Sequence, residues 1–133
     1  MSTIIADNLT GKTSAGSITV TSEGGAATQS LQQGLAKAWV NFNGTGTIAT
    51  RDSLNVGSLT DNGTGDYKVN YSSSFSNDDY SATASANSSS GLFGTLESEA
   101  TMLTGSTEVN AYNGSISKTD HAVVCLHTLG DLA

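Results

Sequence analysis

The stretch "LTDNGTGDYKVNY", residues 59–71, decides how the fold is read. It crowds Asp61, Asn62, Gly63, Thr64, Gly65 and Asp66 into one short run. Two carboxylates and an amide around two glycines suggest either a calcium loop or a tight turn. A calcium loop of the EF-hand kind needs about five oxygen ligands over some 12 positions, closed by a bidentate Glu. No Glu follows within reach. The flanks "SLNVGSLT" and "YKVNY" are strand-like, and Asn-Gly supplies the positive φ that hairpin turns require. The stretch therefore predicts a β-hairpin, which is architecture and not chemistry. "NFNGTGTIAT" (41–50) repeats the pattern with Asn43-Gly44. Together the two segments predict an antiparallel meander.

Working outward, period-2 alternation recurs along the chain, as in half-buried strands. "SITVTS" (17–22) sets Ile18 and Val20 against Ser17, Thr19 and Thr21. "AKAWVNF" (36–42) aligns Ala36, Ala38, Val40 and Phe42, with Lys37, Trp39 and Asn41 opposite. "DYKVNY" aligns Tyr67, Val69 and Tyr71, and "DYSATASA" aligns Tyr80 with three alanines. "TEVNAYN" aligns Val109 with Ala111. "HAVVCLHT" is apolar at both parities and predicts a strand buried on both faces. Turn residues separate these runs at roughly 8–12-residue intervals, the spacing of an all-β sandwich or barrel. Helix signals are few. "TQSLQQGLAKA" (28–38) offers one turn, capped by Thr28 or Ser30 and interrupted by Gly34. "TLESEATML" (95–103) is a second, shorter candidate.

The texture changes along the chain. Residues 1–34 hold no aromatic and only Ile4, Ile5, Leu9, Ile18, Val20 and Leu31 as large apolar positions. They read as an extended arm that cannot fold alone. Residues 35–133 hold all the aromatics and read as the globular β domain.

Composition narrows function. The 133 residues carry 12 acidic and 5 basic side chains, a formal charge of −7. Nucleic acid is not expected as a partner, because phosphate contacts need clustered Lys and Arg. Neither is an anionic membrane surface, and no apolar run approaches the ~18 residues that span a bilayer. No basic-then-apolar leader opens the chain, so a secretory route is not expected. One cysteine makes no internal disulfide. Ser, Thr, Asn and Gly stand at 20, 18, 10 and 15 in place of charge. Leu, Ile, Val and Phe total only 26, near the roughly 20% below which chains tend to be disordered. A small domain already buries only about two-thirds of its unfolded surface. So thin a core predicts either disorder or several copies sharing one core, and the patterning favours sharing.

The segment 35–85 resembles one that recurs in exterior virion proteins of tailed bacteriophages, of tail-fibre or head-fibre type. The elements that carry the resemblance are "AKAWVNF", a short Gly turn, "RDSLNVGSLTDNGTGDY" and "NDDYSA". The upstream "ADNLTGKTSAGSITVTSEGGAATQSLQQG" is similar to the arm that precedes it in such proteins, so the likeness covers residues 6–85. It implies a β-rich, homotrimeric, non-enzymatic protein on the outer surface of a virion, with no catalytic residues to carry over. Three chains packed about an axis would complete a thin core.

Candidate sites follow. His121, Cys125 and His127 share one parity in "HAVVCLHT", so in a trimer their face could meet its symmetry mates and ligate a metal. Buried, hydrogen-bonded histidines and an inert thiol explain the same residues without a metal, and no cofactor is expected. Serines are too many for a Ser-His-Asp pattern to mean anything, and no GxSxG elbow exists. Asp78 with Asp79, and Glu97 with Glu99, are carboxylate pairs, but a glycosidase needs two carboxyls across a cleft. Trp39, Tyr67 and Tyr71 could together form a glycan contact, although aromatics in a thin core usually pack. Trp39 lies opposite its strand's apolar face, so it either fills a subunit interface or contacts a partner.

The expectation is an all-β antiparallel sandwich, jelly-roll-like, with an extended N-terminal arm, assembled as a homotrimer. Its trimer or virion interface comprises Ile4, Ile5, Leu9, Ile18, Val20, Leu31, Leu35 and Trp39. Its partners are copies of itself and other virion proteins. Three roles remain open: a short tail or head fibre, a capsid decoration (cement) protein at subunit junctions, and a carbohydrate-binding host-recognition module.

Overall fold

The computed structural model describes residues 4–14, 17–87, 93–96 and 99–133. The chain divides into two units, Met1–Leu35 and Ala36–Ala133.

In the first unit, β1 (Thr19–Thr21) and β2 (Thr28–Ser30) form an antiparallel hairpin, with Thr19 opposite Ser30. Ser22 closes it. Its amide donates to Ala27 O and its hydroxyl accepts from Ala27 N, and Gly25 takes the left-handed φ of +71°. The one-turn helix α1 (Leu31–Gly34) follows directly. Ser30 caps it by accepting from Gln33 N at 3.4 Å, and Gly34 ends it, as the sequence suggests. Four residues do not hold a helix by themselves, and this one is fastened to the hairpin through Leu31 N donating to Ile18 O at 2.8 Å. Among its described residues the unit has no buried apolar cluster. Ile4, Ile5, Leu9, Val20 and Leu35 are exposed, Ile4 by 85% and Ile5 by 93%.

The second unit is a sandwich of two four-stranded antiparallel sheets. Its strands are β3 (Ala38–Asn43), β4 (Ala49–Leu54), β5 (Val56–Gly63), β6 (Asp66–Tyr71), β7 (Ser81–Asn87), β8 (Phe93–Leu96), β9 (Ser106–Tyr112) and β10 (Val123–Leu129). The orders are β4-β3-β10-β7 and β5-β6-β9-β8. Alternation puts Val40 and Phe42 of β3, Tyr67 and Val69 of β6, Val109 and Ala111 of β9, and Val124 and Leu126 of β10 into one core. Each is essentially without exposure to solvent. Burying a Val, Leu or Phe side chain is worth roughly 1.5–3 kcal/mol, so this set is a substantial stabilising term. Phe42 and Tyr67 meet edge to face across the sheets, with ring centroids 5.1 Å apart. A second cluster of Ala38, Phe75 and Tyr80 packs with Tyr71.

Several expectations change. The two hairpins are real, but they are not a single meander: β3–β4 lies in one sheet and β5–β6 in the other. The chain changes sheet at Asn55, which adopts φ +55°, a conformation Asn tolerates better than most residues. Its side chain is held on both sides, donating to Ser73 O at 3.0 Å and accepting from Ser73 N at 2.7 Å. The strand order is not that of a jelly roll either. Rolled-up pairing sets first against last, second against seventh and so on inward, and of these pairs only first with last, β3 with β10, occurs. The sandwich has a buried core formed within one chain. β10 is buried on one face only: Val124, Leu126 and Thr128 point in, while Val123, Cys125 and His127 point out. Finally, "TLESEATML" is helical only in part. Thr95 and Leu96 end β8, and Glu99–Thr101 form a single 3-10 turn.

Candidate functional site

The outer face of the β4-β3-β10-β7 sheet carries three of the residues that the sequence singles out, Trp39, Cys125 and His127. Register aligns Leu54, Trp39, His127 and Thr83 in one row across the four strands. Asp52, Asn41, Cys125 and Ser85 form the next row. Directly opposed side chains in antiparallel strands share a face, so an indole, an imidazole and an isobutyl group stand side by side. Trp39 is half-buried, His127 exposed and Leu54 46% exposed. A bulge at Asn41/Phe42 frees Arg51 to reach over the face. Its guanidinium donates to Asn41 Oδ1 at 3.0 Å and to Ala122 O.

His121 does not join this face. β10 begins only at Val123, so strand parity no longer applies at 121. Its ring is buried, with Nε2 3.3 Å from Tyr112 O. Among the described residues no three His, Cys, Asp or Glu side chains come together as a metal site. Cys125 is a free, half-buried thiol.

Tyr67 and Tyr71 do not join Trp39 either. They stand on the inner face of β6, in the opposite sheet, and Tyr67 is fully buried. The Tyr71 ring packs edge-on against Phe75 and Tyr80, and its hydroxyl meets Thr107 Oγ1 at 2.7 Å. Tyr80 shares the same Thr107 hydroxyl and donates to Leu103 O at 3.0 Å. Burial pushes the Tyr67 and Tyr71 phenols well above the ordinary tyrosine range, with the hydrogen bond to Asp120 adding to the effect at Tyr67. Such groups pack in the sandwich with satisfied polar ends.

One corner of the sandwich was not legible in the sequence. Asp120 Oδ1 accepts from Tyr67 Oη at 2.9 Å and from Gly65 N at 2.7 Å. Gly65, at φ +63°, is buried so closely that a Cβ would lie 2.5 Å from Ala111 O. The tip of the β5–β6 hairpin is thus pinned down by a carboxylate. The other acids of the opening stretch are also used in folding. Asp61 Oδ1 accepts from Gly63 N at 3.0 Å. Asp66 Oδ2 accepts from Lys118 Nζ at 2.6 Å, a pair partly open to water and worth about 0–1 kcal/mol. Opposite Asp66 in register, Asn110 is 98% buried on the outward parity of β9, and its Oδ1 has no hydrogen-bond donor.

Asp78 and Asp79 lie exposed in a loop where Asp79 N donates to Asn77 Oδ1, with no cleft around them. Glu97 and the side chain of Glu99 fall outside the described residues. Of the expected interface positions, Ile4, Ile5, Leu9, Val20 and Leu35 are exposed, while Ile18 and Leu31 are half-buried. Val20, Gln29, Ser30, Leu31, Gly34 and Leu35 line a shallow depression of about 210 Å³ in the first unit. No helix among the described residues is long and apolar enough to cross a membrane.

No protein-family model, curated protein or solved structure matches this chain.

Proposed function

We propose that this chain is a non-enzymatic structural protein of the outer surface of a tailed-phage virion, a short fibre-type homotrimer anchored through its N-terminal segment. One observation carries the reading. The β-sandwich has a buried core of its own, whereas the described residues of 1–35 expose Ile4, Ile5, Leu9, Val20 and Leu35 and hold no fully buried apolar side chain. Apolar surface of that kind is stabilised only against something else. In this reading it meets copies of the same chain or another virion protein. The outer row of Leu54, Trp39 and His127 is the sandwich's own contribution to such contacts. The Ser, Thr and Asn surface keeps the assembled particle soluble with few charges. The likeness of residues 6–85 to exterior phage proteins points the same way, with no part for nucleic acid or membrane insertion.

A second placement, as a decoration protein at capsid subunit junctions, draws support from the same self-contained core. A chain that folds without partners can circulate as a monomer and trimerise only on the particle. A glycan-binding role loses Tyr67, which is fully buried, and draws mainly on Trp39, since the half-buried Tyr71 packs on the inner face of β6.

The test is a deletion of residues 1–35 in the virus that encodes the chain. The β domain is expected to stay soluble and folded while failing to enter particles. Normal incorporation of the shortened chain overturns the anchoring role. Light scattering on the full chain at high and low concentration separates the placements: a persistent trimer supports the fibre, and a monomer supports decoration.

A further inference from the structure

We infer that Asn62 is this protein's site of spontaneous deamidation, and that the fold protects the other two Asn-Gly pairs. Asn-Gly occurs at 43–44, 62–63 and 113–114. The chemistry is the same at each. The glycine nitrogen attacks the asparagine Cγ, an N–Cγ bond forms, and the Cγ–Nδ2 bond breaks. Ammonia departs, taking up the proton lost by the glycine amide. Water then opens the cyclic imide at either carbonyl, leaving aspartate or isoaspartate. In the unfolded chain glycine offers no side chain to hinder any of the three. In the folded chain the rate depends on how easily nitrogen and Cγ reach a near-attack geometry, about 3–3.5 Å apart.

At Asn43 that approach is blocked several times over. Its Oδ1 accepts from Thr45 N and Thr45 Oγ1, and its Nδ2 donates to Thr45 O at 2.8 Å. The attacking nitrogen of Gly44 donates to His121 O at 2.9 Å, and Gly44 itself is buried against the Tyr67 hydroxyl. Asn113 is held equally firmly. Its Oδ1 accepts from Ser115 N and Ser117 N, and its Nδ2 donates to Thr119 Oγ1. Its own backbone N and O are both engaged, with Ser117 O and Ile116 N.

Asn62 is held less firmly. It is exposed at the end of β5, where the ladder is bulged. Among the described residues its side chain makes only the long 3.3 Å contact from Nδ2 to Asp66 Oδ1. Gly63 adopts φ +138° with nothing within 4 Å of where a Cβ would stand, so no neighbouring group crowds the attacking nitrogen's residue. The bond from Gly63 N to Asp61 Oδ1 has to open first, but both groups are exposed and water replaces it. The product adds a carboxylate beside Asp61 and Asp66 and removes the donor to Asp66. Isoaspartate also inserts a methylene into the backbone of the hairpin. The modification therefore loosens an exposed tip and leaves the core intact.

The test is peptide mapping by mass spectrometry of the intact, folded chain held in mildly alkaline buffer, beside the same chain in denaturant. In the folded sample the peptide containing Asn62 is expected to convert about tenfold or more faster than those containing Asn43 and Asn113, since several hydrogen bonds must open at each protected site. In denaturant the three rates are expected to converge. Conversion of Asn43 or Asn113 in the folded chain as fast as Asn62 overturns the inference. So does an Asn62 that stays unconverted while folded yet reacts in denaturant.

Discussion

The Tyr67 hydroxyl lies 2.9 Å from the carbonyl of Gly44, and a Cβ on Gly44 would lie 2.5 Å from that same hydroxyl oxygen. Tyr67 belongs to β6 in one sheet, and Gly44 follows β3 in the other. The contact therefore ties the sheets together at one end of the sandwich, and it does so only because position 44 has no side chain.

Gly44→Ala is expected to destabilise the protein by about 1–3 kcal/mol, as overpacking does. Its new methyl group meets Tyr67 Oη, Tyr67 Cζ and His121 O together. Gly46→Ala, two residues on, meets nothing within 4 Å and strains only its left-handed backbone, φ +64°. It is expected to cost about 1 kcal/mol. Urea titration of both variants checks the order, and an equal cost would show that position 44 has room.

The Tyr67 hydroxyl shares its proton between Gly44 O and Asp120 Oδ1. Tyr67→Phe and Asp120→Ala are each expected to lose about 1–3 kcal/mol, because each strands a buried or part-buried polar group. The double variant is expected to lose less than the sum, with a coupling of about 0.5–3 kcal/mol. Strict additivity in a double-mutant cycle would rule out a direct bond between them.

Alkaline pH provides a separate readout. The folded chain holds Tyr67 and Tyr71 protonated above their ordinary range, so in base the native state binds more protons than the unfolded one. Stability from this source is complete below the unfolded tyrosine value of about 10 and falls as pH rises beyond it. Phenolate absorbance from these two rings is expected to appear only with unfolding. Tyr67→Phe is expected to flatten the alkaline loss, and an unchanged slope would contradict the assignment.

Leu126→Ala empties part of a core in which Leu126 is 2% exposed, and about 2–5 kcal/mol is the expected loss. Leu9→Ala changes an exposed residue of the first unit and is expected to alter stability by no more than about 0.5 kcal/mol. If the N-terminal segment anchors the chain, Leu9→Ala lowers incorporation into particles without moving the melting temperature. A stability loss at Leu9 comparable to that at Leu126 would instead make it part of a core.

Most strands of the sandwich, the two hairpins of residues 38–71 and the Ser30-capped turn were legible in the sequence, whereas β2 and β8 were not: they fall in or beside the segments that read as helix candidates. Each legible element is a short-range consequence of alternation, turn chemistry or capping, and neighbouring residues suffice to specify it. Even here the detail was local physics of another kind. Positive φ falls at Gly46, Gly63 and Gly65, while Gly44 serves close approach.

The sequence by itself determined an antiparallel β protein with an apolar-poor N-terminal segment. Only the tertiary structure decided that β3–β4 and β5–β6 part company at Asn55, that Tyr67 and Tyr71 turn inward while Trp39 turns out, and that His121 leaves the face of Cys125 and His127. Alternation states which residues share a face but not what that face meets. That depends on pairings such as Phe42 with Tyr67 and Asp120 with Gly65, whose partners lie 25 or more positions apart.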